Sequence, residues 1–232
     1  MWQKEIKKAI YTLNVNNFAP EIREITYPLL RRYADRIHAE FIEITERKYP
    51  EYPPVYEKFQ IYELAKQGFD WNIYLDADAL VHPDTPDFTQ FLHKDTVVHH
   101  GSDLAPIRWT YDRFFKRDGR HIGSGNWCTI ASDWCIELWE PLGDLSLQEA
   151  IANIQPTIEE LNSGVIKPEH LIDDYVCSRN IAKYGLKFIT LRKLMEPLGF
   201  PGGGPWFWHA YTMPIERKVF EMQRVLKEWR VA

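Results

Sequence analysis

Apolar runs and polar breaks follow one another in a regular order over the first 80 residues. Ala9 to Val15 is an apolar run that predicts a buried strand, giving way to a polar loop over Asn14 to Asn17. Ile22, Ile25, Leu29, Leu30 and Tyr33 recur near helical spacing, so Glu21 to Tyr33 is expected to be a helix. His38 to Thr45 alternates apolar and polar side chains, the pattern of a half-buried strand. The Pro50-Glu51-Tyr52-Pro53-Pro54 segment breaks the chain. Val55, Phe59 and Tyr62 then fall at i, i+4 and i+7, which predicts a second helix ending at Gly68. Trp71 to Leu75 is a short apolar strand that runs directly into Asp76-Ala77-Asp78. This β-α-β-α-β order favours a parallel sheet covered by helices. Ligands of such sheets bind outside the carboxyl ends of the strands. The Asn14 loop and the Asp76/Asp78 pair both fall on that edge.

The rest of the chain is less regular. Val97 to His100, Trp127 to Ala131 and Leu186 to Leu191 are expected strands, and Asp133 to Trp139 and Leu147 to Ile154 expected helices. Leu171, Ile172, Tyr175 and Val176 form a helical apolar stripe. Pro201 to Pro205, with three central glycines, is a loop. Ile215, Val219, Met222, Leu226 and Trp229 give a final helix its apolar face, starting near Pro214. There is no internal repeat and no long linker. The expectation is an α/β fold in a single domain over 1–232, with a βαβαβ half at 1–80 and a less regular half, ending in the last helix, at 81–232.

Composition narrows the function. Lysine plus arginine number 28 against 33 acidic residues, a net charge of −5. Without a cationic stripe, nucleic acid is not expected as a partner. No apolar run approaches the ~20 residues that span a bilayer. Charge at Lys4 and Glu5, where a secretory signal would carry its apolar stretch, points to the cytoplasm. Cys128, Cys135 and Cys177 are odd in number and lack a C-x-x-C pair, so reduced thiols are expected.

Asp76 and Asp78 carry the leading chemistry. In extended backbone, positions i and i+2 point the same way, so two carboxylates at a strand tip can share one oxygen-preferring cation, which in turn holds phosphate oxygens. Aspartates there also suit a turn or a helix N-cap. The segment Trp71-Asn72-Ile73-Tyr74-Leu75-Asp76-Ala77-Asp78-Ala79-Leu80-Val81, with Tyr56 to Tyr62 before it, resembles the nucleotide-sugar-dependent glycosyltransferases of GT-A fold, family eight in particular. That resemblance implies a Rossmann-like, mostly parallel central sheet flanked by helices. It also implies Mn2+ or Mg2+ and a nucleotide-sugar donor, most often a UDP-sugar, with a glycan or other hydroxyl acceptor. Asp78 would be a direct metal ligand, and Asp76 would touch the metal or the donor.

Further residues follow from the same resemblance. His209, in Trp206-Phe207-Trp208-His209-Ala210, matches the late histidine that completes the metal shell in many such enzymes. A lone histidine is otherwise more often structural. Carboxylates plus an imidazole suit Mn2+ better than Mg2+. Asp173 and Asp174 match the acidic pair that faces the acceptor, with Asp174 the preferred base if the enzyme inverts. Acids in a first helical turn are also simply favoured by the macrodipole. Gly123-Ser124-Gly125 resembles a glycine-containing loop facing donor sugar or acceptor, although the usual Asn-Ser-Gly is absent. Tyr11, Thr12 and Asn14 are placed to hold base and ribose, and Lys58 to reach the diphosphate or sugar. Trp109, Trp206 and Trp208 are candidates to stack on sugar faces.

Two alternatives use the same residues. Asp76-Ala77-Asp78-Ala79-Leu80 loosely resembles the nucleophile motif of haloacid-dehalogenase-like phosphohydrolases, with Asp76 phosphorylated. A non-catalytic sugar- or nucleotide-binding module would explain the aromatics and the ion site without needing Asp174.

Overall fold

Strand β1 (Lys8–Leu13) is buried on both faces, as the centre of a parallel sheet requires. It lies between β2 (Ala39–Ile44) and β3 (Trp71–Leu75), parallel to both. Helix α1 (Pro20–Arg36) makes the first crossover. The second is a 3-10 segment, Pro54–Gln60, continuing into α2 (Ile61–Ala65). The computed structural model describes residues 5–99, 126–154, 168–199, 205–210 and 213–231.

Beyond β3 the direction changes. The six-stranded sheet has the order β2-β1-β3-β6-β5-β7, with β5 at Thr96–Val98, β6 at Cys128–Ser132 and β7 at Lys187–Ile189. β6 runs antiparallel to both neighbours, while β5 and β7 are parallel. A separate two-stranded ribbon joins β4 (Ala79–Val81) to β8 (Phe207–His209). The other α-helices among the described residues are α3 (Leu147–Ala152), α4 (Ile172–Tyr184), α5 (Leu191–Met195) and α6 (Ile215–Glu228). No helix among the described residues is long and apolar enough to cross a membrane.

Alternation along β1 and β3 divides the core. Tyr11 and Tyr74 face α4 with Phe59, Tyr175, Val176 and Trp139. Ile10, Ile73 and Leu75 face α1 with Leu30, Tyr33 and Phe207. A third cluster joins Ile22 and Leu29 of α1 to Leu80 of β4 and Met222 and Val225 of α6. That cluster docks the C-terminal helix beside the tip of β3.

Local polar chemistry explains where elements depart from the periodicity. The helix expected over Asp133–Trp139 shrinks to a 3-10 turn at Ile136–Trp139. There the Ser132 hydroxyl accepts the Trp134 N–H at 3.0 Å, an alternative to helical bonding. The strand expected to reach Leu191 stops at Ile189, because the Thr190 side chain accepts the Lys193 N–H at 3.2 Å and caps α5. The helix expected over Val55–Gly68 begins as a 3-10 segment beside the buried Glu57 carboxylate. Glu57 accepts from Arg47 Nε at 2.8 Å and from the Lys48 and Tyr49 N–H groups at 2.9 and 3.0 Å. That carboxylate holds Arg47, whose guanidinium donates in turn to the Pro50 and Tyr52 carbonyls of the proline-rich loop.

Candidate functional site

The chain turns sharply at the carboxyl end of β3, and three hydrogen bonds fix the turn. The Asp76 N–H donates to the Trp127 carbonyl at 2.8 Å, and the Ala79 N–H donates to the Asp76 carbonyl at 3.0 Å. The buried Thr26 hydroxyl of α1 donates to the Ala77 carbonyl at 2.6 Å. β4 starts directly after the turn, and its pairing with β8 sets Ala79 opposite His209. Sheet register thereby carries an imidazole from near the C-terminus to the two aspartates.

The three side chains converge. His209 Nε2 lies 3.0 Å from Asp78 Oδ1 and 3.4 Å from Asp76 Oδ2. One ligand atom from each of Asp76, Asp78 and His209 lies within 4.8 Å of the others, a grouping that could hold a metal ion. Two neighbouring carboxylates repel unless cations accompany them. Lys218 of α6 donates to Asp78 Oδ2, and the Tyr74 hydroxyl donates to Asp76.

Charge states follow from these contacts. Burial works against the Asp76 carboxylate, but Lys58 and then His209 outweigh it and hold the group well below the ordinary carboxylate range. Asp78 is likewise buried and likewise held low, chiefly by His209. Burial would lower His209, yet its bonds to Asp76 and Asp78 push it up to about 9.

A second charged layer lies beneath. Lys58 is 2% exposed. Its ammonium donates to Asp173 and, at 3.2 Å, to the Asn126 carbonyl, and stands 3.9 Å from Asp76. Burial disfavours the lysine charge, but Asp173 and Asp76 together raise its pKa. Asp174 Oδ1 accepts the Asn126 N–H at 2.8 Å. Asp174 thus holds the N–H of Asn126, the residue before Trp127, directly, and Asp173 is linked to its carbonyl through Lys58.

Above the aspartates is a cavity of about 440 Å³. Leu13, Val15, Phe18, Pro53, Pro54 and Val55 give it an apolar lining. Tyr74, Asp76 and Asp78 line it too, with Glu169 and His170. The loop carrying Val15 and Phe18 holds Asn16, Asn17 and Ala19 at φ of 58°, 51° and 38°, left-handed backbone that non-glycine residues seldom adopt.

The other sequence-derived candidates fall in several places. Tyr11 and Thr12 are buried in the sheet rather than set in the cavity wall, and the Tyr11 hydroxyl is used by Asn72 Oδ1 at 2.9 Å. Asn14 is half-buried, and its side-chain amide donates to Glu43. Trp208 packs with the cluster between α1 and α6. Lys58 and Asp173 are paired below the cavity floor. Gly125, with Gly123, Ser124 and Trp109, lies outside the described residues.

Lys218, Glu169, Phe18 and Trp127 are absent from that sequence-derived set. Lys218 had a readable signal: it lies four residues before Met222 and seven before Val225, the buried stripe of its helix. Glu169 and Phe18 had none, since a four-residue 3-10 turn and a loop are too short or irregular to carry a periodicity. The Glu169 carboxylate makes no hydrogen bond or ion pair among the described residues, although it lines the cavity.

The donor set fits a divalent cation. It offers two carboxylates and one imidazole, held together by backbone register, and an ammonium already stands against Asp78 where positive charge is wanted. No protein-family model matches the chain, and no curated protein matches it. Among solved structures it is similar to a glycosyltransferase involved in the glycosylation of the major capsid of PBCV-1. The identity is 12% and the TM-score 0.49, over 93% of this chain and 99% of that one.

Proposed function

We propose that the protein is a metal-dependent glycosyltransferase that moves a sugar from a nucleoside diphosphate sugar, a UDP-sugar foremost, to a hydroxyl acceptor. One observation carries the reading: Asp76, Asp78 and His209 meet at the carboxyl edge of a parallel strand pair, and the two aspartates line a cavity. The sequence around Asp76 and Asp78 resembles that of GT-A enzymes.

The residues divide the work. Asp76, Asp78 and His209 would hold Mn2+, or Mg2+ less well. When bound, the cation supplies positive charge to the departing diphosphate. Lys218 leaves Asp78 to donate to a phosphate oxygen as the leaving group gains charge. The apolar part of the lining, with Phe18, Pro53 and Pro54, takes the planar base. Acceptor chemistry needs a proton acceptor near the attacking hydroxyl. Asp174 is the sequence-derived choice, and Glu169 is the carboxylate on the cavity wall.

A thermal-shift titration tests the reading. UDP and Mn2+ together, near 100 times the dissociation constant, should stabilise by about 2.7 kcal/mol. For a chain of this size that is a rise of roughly 5–10 °C. EDTA or Asp78→Ala should remove most of it. No shift with any nucleoside diphosphate would reject the assignment, and phosphate release from a phosphomonoester would support the phosphohydrolase instead. Sugar transfer then separates the two bases: whichever of Asp174→Asn and Glu169→Gln keeps the shift but loses transfer marks the proton acceptor.

A further inference from the structure

We infer that Trp127 is a positioning residue for the cation site, setting the plane of the His209 ring and the start of the Asp76 turn before any ion arrives. The inference rests on the cation-site reading above. The pairing of β8 with β4 fixes the His209 backbone but leaves the two side-chain torsions of the imidazole to be settled by its neighbours. The Trp127 indole lies flat on that ring, with centroids 5.2 Å apart and an angle of 10° between planes. Phe207, two residues before His209, meets the indole at 64° and 6.2 Å, so the stack is itself held from the side. The Trp127 carbonyl accepts the Asp76 N–H at 2.8 Å. One residue therefore touches two of the three candidate ligands, His209 through its ring and Asp76 through its backbone.

The support continues beneath. Asn126, directly before Trp127, is held through its N–H by Asp174 and through its carbonyl by Lys58. Lys58 in turn pairs with Asp173. The acidic pair of α4 is thus connected to the ligand set through the Asn126-Trp127 corner. A flat aromatic surface against an imidazole removes rotamers that would aim Nε2 away from the carboxylates, the orienting task that outer hydrogen bonds to a ligating histidine perform, whose loss typically costs about 10–100-fold in metal affinity or activity. Core packing alone would need only an apolar side chain of similar bulk at this position. Positioning needs the flat ring.

Mn2+ binding, read from the free-ion electron paramagnetic resonance signal, tests this in the full chain. Trp127→Leu should raise the Mn2+ dissociation constant about tenfold or more, whereas Trp127→Phe, which keeps a stackable ring, should raise it about threefold or less. Trp127→Leu binding Mn2+ within twofold of the parent protein, with an unchanged circular dichroism spectrum, would overturn the inference. If the leucine variant does not fold, Trp127→Met, apolar and of similar bulk but without a flat ring, takes its place under the same two limits. Absence of Mn2+ binding by the parent protein would instead reject the cation-site reading, and this inference with it.

Discussion

Lys218 occupies the position on Asp78 that a cation would compete for, and this gives it two opposed effects. Its ammonium neutralises a buried carboxylate, so without a ligand it stabilises the site. The same contact must weaken for Asp78 to turn to a metal ion. Lys218→Met keeps most of the packed stem and removes the charge. Mn2+ alone should then bind as well as before or more tightly. The affinity for UDP with Mn2+ should fall, by about 1.5–3 kcal/mol if a charge-assisted bond to phosphate is lost. Isothermal titration with and without UDP separates the two effects, and a loss of both affinities would mean that Lys218 only supports the fold. At this scale, the pattern Asp76-Ala77-Asp78 after an apolar strand, and a late histidine beside aromatics, were legible as possible ligands. Trp127 was legible only as the start of a strand, because stacking between residues 82 positions apart in the chain leaves no mark on local spacing.

Secondary structure positions these groups by register, and α1 contributes through a single hydroxyl. Thr26 lies on the buried face of α1 and donates to Ala77 inside the Asp76-Ala77-Asp78 turn. Thr26→Val keeps the shape and leaves the Ala77 carbonyl without that donor. A buried acceptor left unpaired costs about 1–3 kcal/mol. At roughly 2–4 °C per kcal/mol for a chain of this size, melting should drop by several degrees. Mn2+ affinity should weaken as the turn loosens, and a variant that melts lower but binds Mn2+ unchanged would separate the turn from the ligand geometry. The longer strands and helices were readable because burial repeats along them: β1, β2, β3, α1 and α6 match their expected segments to within a few residues. The ribbon of β4 and β8 was not readable. Three-residue strands carry no period, and β4 follows the two aspartates so closely that its apolar residues merge with the preceding run.

On the scale of the whole molecule, the β-α-β-α-β order did predict the parallel arrangement of β2, β1 and β3. The insertion of β6 between β3 and β5, antiparallel to both, came from long-range pairing that local pattern cannot encode. That arrangement leaves the candidate site drawn from two distant parts of the chain. Asp76 and Asp78 belong to the turn that follows β3, while His209 and Lys218 belong to the C-terminal ribbon and helix. Among the described residues β8 pairs with β4 alone, and in α6 only Met222 and Val225 are fully buried. A short ribbon and a half-exposed terminal helix open at lower free energy than the core strands. A ligand bound to Asp78 and to the C-terminal groups together must suppress that opening, because it is released whenever they part. Hydrogen exchange should therefore slow at Phe207–His209 and over the first turns of α6 when Mn2+ and UDP are added. The edge strand β2, which contributes no ligand, should exchange as before, and Asp78→Ala should abolish the difference. Protection confined to other segments would place the ligand elsewhere and would separate the C-terminal elements from the site.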